Sequence, residues 1–213
     1  ASGNLHQFDI VIGALGFHPN TDFLTAPELN KKDDASIPVD RQMRTGLPDV
    51  YAAGDVVARP AFGKGKLRWP LASAASIDGW VAGMNIASSR QQRQLELARM
   101  GFALGDESYA RIGRFPLDQN IEWHELKTTF TFGDKSYAIR PRLGVENGET
   151  VVAAEIAAGG IIASMLLDPL APCLQENPSL EAVAQLEPVY HPGMNPVNSP
   201  FAIAARSILQ GRG

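Results

Sequence analysis

The apolar residues of this chain come in short blocks, and the blocks change character partway along. Phe8, Ile10, Val11 and Ile12 crowd the run Phe8-Asp9-Ile10-Val11-Ile12-Gly13, which is closed by glycine and suits a central strand. Gly13-Ala14-Leu15-Gly16 and His18-Pro19-Asn20-Thr21 are turn material. Short strands are expected at residues 37–39 and 50–53, with Gly54-Asp55 ending the second, and residues 60–68 read as an irregular loop. A helix is expected from Pro70 through Ala72, Ala75, Val81, Ala82 and Ile86, because proline is well tolerated in a first turn. Its small residues Ala72, Ala75, Gly79 and Gly83 permit a partner's backbone to come close. Residues 91–100 read as a further helix, with Arg90, Arg93 and Arg99 diluted by Gln and Glu on a solvated face.

Beyond a boundary expected near residues 88–105 the pattern changes to alternation. Thr128 to Phe132 alternates Thr and Phe, and Tyr137 to Val145 forms another expected strand. Asn147-Gly148 is a hairpin turn signal, since both residues tolerate positive φ, and Val151-Val152-Ala153-Ala154-Glu155-Ile156 is the returning strand. Helices are expected at residues 161–167, at 178–186 with Ser179 as cap, and at 200–209.

Composition narrows the function classes. The 213 residues are 45% hydrophobic and 20% charged, enough apolar material for a sizeable core. A net charge of -4 without a concentrated basic face argues against nucleic-acid binding. One cysteine, Cys173, cannot form an internal disulfide, and no Cys/His cluster has zinc spacing, so a reducing, cytoplasmic setting is expected. The most apolar stretch, residues 151–167, is broken by Glu155 and Gly159-Gly160, so no membrane span is expected. No signal-peptide pattern opens the sequence, which runs at once into a buried-looking strand; a piece of something longer is expected.

The candidate chemistry centres on Leu47-Pro48-Asp49-Val50-Tyr51-Ala52-Ala53-Gly54-Asp55. Asp55 follows a small-residue strand at the edge where open α/β sheets bind ligands. Its carboxylate can accept hydrogen bonds from a polyol, and glycine lets a ligand approach the backbone. Ala-Gly-Asp alone could equally be a turn. With Arg44-Thr45 and Pro48-Asp49-Val50-Tyr51 before it and Pro70-Leu71-Ala72 after it, the segment resembles the second FAD motif of the pyridine nucleotide-disulfide oxidoreductase superfamily. The resemblance implies that Gly54 and Asp55 contact FAD, with the aspartate on the ribityl chain. It implies that the next helix points its positive end at the flavin, with Leu71 and Ala72 offering backbone N–H groups.

Two further stretches resemble the same family. Residues 9–21 are similar to the end of its NAD domain, which implies that Gly13 lies close to bound nicotinamide dinucleotide; Gly13 and Gly16 can also be ordinary turn glycines. Residues 186–209 look like the closing segment of the dimerisation domain in the coenzyme A-disulfide reductase, NADH oxidase and persulfide reductase branch, matched at Tyr190, Pro192, Pro196, Val197 and Asn198. In that branch this region faces the other subunit's flavin site, so Tyr190 is a candidate to hydrogen-bond a sulfur intermediate. His191-Pro192 is similar to the His-Pro of the glutathione reductase branch, which makes His191 a second catalytic candidate, although no acid follows closely to orient it. Cys173 matches no redox cysteine of the family and reads as a small buried hydrophobe. Trp69, Trp80 and Trp123 read as core or interface residues, and His124-Glu125 as a surface pair.

No Gly-x-Gly-x-x-Gly follows a strand, so neither dinucleotide fingerprint is present. The expected fold is an α/β FAD/NAD(P)-binding, Rossmann-like portion (residues 1–90) followed by an α+β dimerisation domain with an antiparallel sheet (residues 105–213). The expected function is that of the C-terminal portion or subunit of an enzyme passing electrons from NAD(P)H through FAD to a disulfide, persulfide or dioxygen. The expected partners are the N-terminal FAD/NAD-binding part, in the same or a separate chain, and further copies in a homodimer or higher oligomer. The alternative is a family-derived assembly or dimerisation subunit that binds no flavin.

Overall fold

The computed structural model describes residues 7–29, 31–62, 65–88, 90–114, 121–132, 134–160, 162–189 and 197–211. The N-terminal part is α/β. Strand β1 (Ile37–Pro38) pairs parallel with β2 (Val57–Pro60), with Ile37 opposite Val57. Strand β3 (Lys66–Leu67) runs antiparallel to β2. Helix α1 (Ala72–Ile86) packs Val81 and Ala82 against Val39, Met43 and Val57 in a small core flanked by Tyr51, Ala52, Ala53 and Val56.

The second part is an antiparallel sheet with helices on one face. Its strands are β4 (Ala98–Leu104), β5 (Glu107–Gly113), β6 (Ile121–Glu125), β7 (Thr128–Phe132), β8 (Lys135–Glu146) and β9 (Thr150–Gly159). They are ordered β4-β5-β9-β8-β6, with β7 also pairing β8. The β8–β9 hairpin turns where Asn147 (φ 53°) and Gly148 (φ 74°) both adopt the left-handed conformation, and the Glu149 N–H donates to the Glu146 carbonyl at 3.1 Å. Alternation along the strands sends Ala110, Ile112, Leu143, Val145, Ala154 and Ile156 to the buried face. There they meet α2 (Ala163–Leu167), α3 (Ala171–Gln175), α4 (Leu180–Ala184) and α5 (Pro200–Gln210). Ser179 caps α4, its side chain accepting from the Ala182 N–H at 3.2 Å. Among the described residues no helix is long and apolar enough to cross a membrane.

The structure corrects five expectations. Residues 8–13 are not assigned to a strand, and Ile10, Val11 and Ile12 are 80%, 82% and 86% exposed where a central strand would bury them. Residues 50–53 contribute only the single bridge between Arg44 and Tyr51. The strand comes one turn later, at β2, so Asp55 precedes a strand instead of ending one. Part of the expected loop 60–68 is likewise strand, in the end of β2 and in β3. Residues 91–100 are extended and lead into β4, which pairs with β5 along its whole length, so the sheet already takes in residues from 98. Arg93 is buried and not on a solvated face, because its guanidinium is neutralised from within.

Candidate functional site

Gly54 and Asp55 open a turn closed by the Val57 N–H donating to the Gly54 carbonyl at 3.2 Å. Gly54 has φ +89°, a conformation that costs a side-chain-bearing residue but not glycine. A Cβ built on Gly54 would lie 3.8 Å from the Ala75 Cβ, so the turn lies directly against the first half of α1. The Asp55 side chain is exposed. Its backbone carbonyl accepts from Arg68 Nε at 3.0 Å, and Arg68 Nη1 donates to the Phe17 carbonyl at 2.9 Å, so one guanidinium ties the turn to the end of the residue 8–17 segment.

Helix α1 starts from Leu71 in an extended conformation, with the Ala75 N–H donating to the Leu71 carbonyl at 2.9 Å. Leu71 brings no capping side chain, and no acidic residue occupies the first turn. The first N–H groups of any helix have no intrahelical acceptor. This end therefore keeps its partial positive charge open toward an electron-rich ligand.

Beneath the turn lies a set of buried charges. Asp78, on α1, accepts with Oδ2 from the Gly54 N–H at 3.3 Å and from Arg59 Nε at 2.7 Å, and with Oδ1 from Arg93 Nε at 3.2 Å. Glu96 Oε2 lies 3.3 Å from Arg93 Nη2 and 3.7 Å from Arg59 Nε. Burial pushes the Glu96 carboxyl above the ordinary carboxylate range, against the pull of Arg59 and Arg93. Arg59 Nη1 also donates to the Trp69 carbonyl at 3.3 Å, and Trp69 Nε1 donates to the Arg99 carbonyl. The Glu96 N–H donates to the Pro60 carbonyl at 2.9 Å, so the segment after α1 is fastened to the end of β2. None of these four charged residues was expected at the site from sequence. The signal was there: Asp78 shares one face of α1 with Ala74, Val81, Ala82 and Asn85, all buried, and a carboxylate on a core face demands partners.

The candidate residues thus fare differently. Gly54, Asp55, Leu71 and Ala72 lie together around the start of α1. Gly13 lies in an exposed stretch, with no atom within 4 Å of a Cβ built on it. Tyr190 and His191 lie outside the described residues, as do Pro192 and Pro196. Asn198 accepts from Arg206 Nη1 at 2.8 Å, and Val197 is exposed. Cys173 packs against the main core, and burial pushes its thiol up, away from the thiolate a nucleophile needs. Trp80 stands 56% exposed on α1, and Trp123 is flanked by the guanidinium groups of Arg142 and Arg111 at 4.9 and 5.6 Å from its ring centre. His124 Nε2 lies 3.6 Å from Glu122, and among the described residues no cluster of His, Cys, Asp and Glu is arranged to hold a metal.

These residues fit the flavin motif. The glycine is held in a conformation that denies a side chain, the carboxylate is free to face a polyol, and the adjacent helix end is uncapped. The family profile described as pyridine nucleotide-disulphide oxidoreductase matches residues 1–79. An NADH oxidase from Methanocaldococcus jannaschii is 28% identical over 98% of this chain and 48% of its own length. A CoA-dependent NAD(P)H sulfur oxidoreductase from Pyrococcus furiosus is 27% identical over 96% of this chain and 48% of its own. This chain therefore spans about half the length of these relatives. The solved structure of an NAD-dependent persulfide reductase from A. fulgidus superposes on 92% of this chain and 38% of its own with a TM-score of 0.82 at 23% identity, which establishes the shared fold. The Gly54–Asp55 turn and the uncapped start of α1 lie within the residues that match the pyridine nucleotide-disulphide oxidoreductase profile, and similarity to the NADH oxidase and the sulfur oxidoreductase runs along nearly the whole chain.

Proposed function

We propose that this chain is the C-terminal portion, or a subunit, of a flavin-dependent NAD(P)H oxidoreductase that passes electrons through FAD to a disulfide, a persulfide or dioxygen. The observation that carries the reading is the Gly54–Asp55 turn, packed on Ala75 and bonded to Asp78 beside the open end of α1. In this reading Asp55 accepts hydrogen bonds from the ribityl hydroxyls. Leu71 and Ala72 present backbone N–H groups to the ring, where the positive helix end favours developing negative charge. FAD, when bound, supplies the hydride acceptance and onward electron transfer that no side chain here can perform.

Gly13 is assigned to the neighbourhood of the nicotinamide dinucleotide, Tyr190 to the sulfur acceptor, and His191 to acid–base work if Tyr190 has no such role. The remaining FAD and NAD(P)H surfaces belong to an N-terminal part in the same or a separate chain. Residues 1–90 complete those surfaces, and residues 105–213 together with β4 serve as a dimerisation domain, in a cytoplasmic enzyme of two or more copies.

The complete enzyme is expected to purify yellow, to release FAD on denaturation and to bleach with NAD(P)H. A colourless complex would support the alternative of an assembly subunit and sink the enzyme reading. Tyr190→Phe is expected to slow turnover with a sulfur acceptor while flavin reduction by NAD(P)H keeps its rate; equal slowing of both half-reactions would make Tyr190 structural.

A further inference from the structure

We propose that Asp78 is a positioning residue for the flavin site, holding the Gly54–Asp55 turn in fixed relation to the start of α1 and so setting both the affinity for FAD and the reduction potential of the bound flavin. The inference rests on the flavin reading of that turn.

Four segments converge on this one carboxylate. Asp78 belongs to α1, Gly54 to the turn, Arg59 to β2, and Arg93 to the segment leading into β4. The side chains of Asp78 and Arg59 are fully enclosed, that of Arg93 nearly so. Two arginines face two carboxylates, so the set is formally neutral. Such a set is a poor device for stability alone, since apolar residues of the same volume often do as well. An apolar residue at position 78, however, could not accept the Gly54 N–H, and the amide orientation that aims Asp55 would be lost. Gly54, with φ +89° and no side chain, has nothing of its own to hold that orientation. Because Asp78 sits on the helix whose open end faces the same site, it fixes both flavin-facing features to each other. Ligand constellations tolerate errors of only about 0.5 Å.

The test uses the complete enzyme with Asp78→Ala, Asp78→Asn, Asp55→Ala as the reference for direct contact, and Ile156→Ala as a destabilising control in the distant sheet core. The FAD dissociation constant and the flavin reduction potential are measured on each. Asp78→Ala is expected to weaken FAD binding about tenfold or more, in line with one lost hydrogen bond to a charged group, and to move the potential to more negative values. Asp78→Asn still offers an oxygen to Gly54 and is expected to lie between wild type and the alanine variant. Ile156→Ala is expected to change neither quantity. If Asp78→Ala does not fold, Asp78→Asn alone must weaken FAD binding and lower the potential. Wild-type constants in the folded Asp78 variants, with FAD lost from Asp55→Ala, would overturn the positioning role and leave the flavin reading standing. Wild-type FAD affinity in Asp55→Ala would overturn the flavin reading and this inference with it.

Discussion

Leu143, Ile156 and Phe201 sit in a continuous apolar core shared by β8, β9 and α5, whereas the centre of the N-terminal part holds Asp78, Arg59, Arg93 and Glu96 beside a small apolar cluster. The two arrangements serve different ends. An apolar core is non-directional and tolerates small shifts, so it suits a part whose task is to be stable. A buried ionic set is directional, with each oxygen assigned to a donor, so it suits a part that must hold one turn in one orientation. The N-terminal part also exposes Phe8, Ile10, Val11, Ile12, Leu15 and Phe17 in one stretch, the kind of surface that marks an interaction site.

Asp78→Ala leaves two buried guanidinium groups with one carboxylate and is expected to cost about 3–5 kcal/mol in chemical denaturation of the complete enzyme. A cost below about 1 kcal/mol would mean that water or rearrangement replaces the ionic set, and the contrast would fall. Ile156→Ala, fully buried in β9, is expected to cost about 3 kcal/mol without altering bound flavin. Loss of flavin in that variant would show that the two parts are not separable in this way. Ser179→Ala removes the cap of α4 and is expected to cost about 1 kcal/mol, read as a shift in denaturation midpoint.

The smallest effect concerns Tyr109 on the open face of the sheet. Burial, together with the charge and hydrogen bond of Glu155, pushes its phenol up to about 12 from the ordinary 10.0. The neutral phenol is thus favoured in the folded state. Its contribution to stability is complete below pH 10.0 and is lost as pH rises toward about 12. Alkaline difference absorbance should show one tyrosine ionising late, and Tyr109→Phe should remove that step. An unchanged titration curve would contradict the burial of this ring against Glu155.

The sheet part was legible because its signals are local. Asn147-Gly148 specifies its hairpin by backbone preference, Ser179 caps its own helix, and alternation along residues 137–145 chooses the buried face. The N-terminal part was harder because its decisions are made at a distance. Residues 91–97 are rich in helix formers, yet Arg93 is drawn to Asp78 and the Glu96 backbone to Pro60, so tertiary partners override propensity. Ala52-Ala53 looked like the strand, but the left-handed turn at Gly54 delays pairing until Val57 meets Ile37. Residues 8–13 carry a strand's pattern, yet Ile10, Val11 and Ile12 are exposed and belong to no described strand. At the site, the family resemblance singled out Gly54, Asp55 and the start of α1, while the buried charges behind them were visible only as an aspartate out of place on a core face.

In the proposed function, Asp55 holds flavin at the start of α1. The most direct test is the FAD content of the purified complete enzyme with Asp55→Ala, measured beside its thermal midpoint. The exposed Asp55 side chain has no fold-supporting hydrogen bond among the described residues, so the apoprotein's midpoint is expected to stay at the wild-type value while most of the FAD is lost. Wild-type FAD content in a normally folded Asp55→Ala enzyme would contradict the claim.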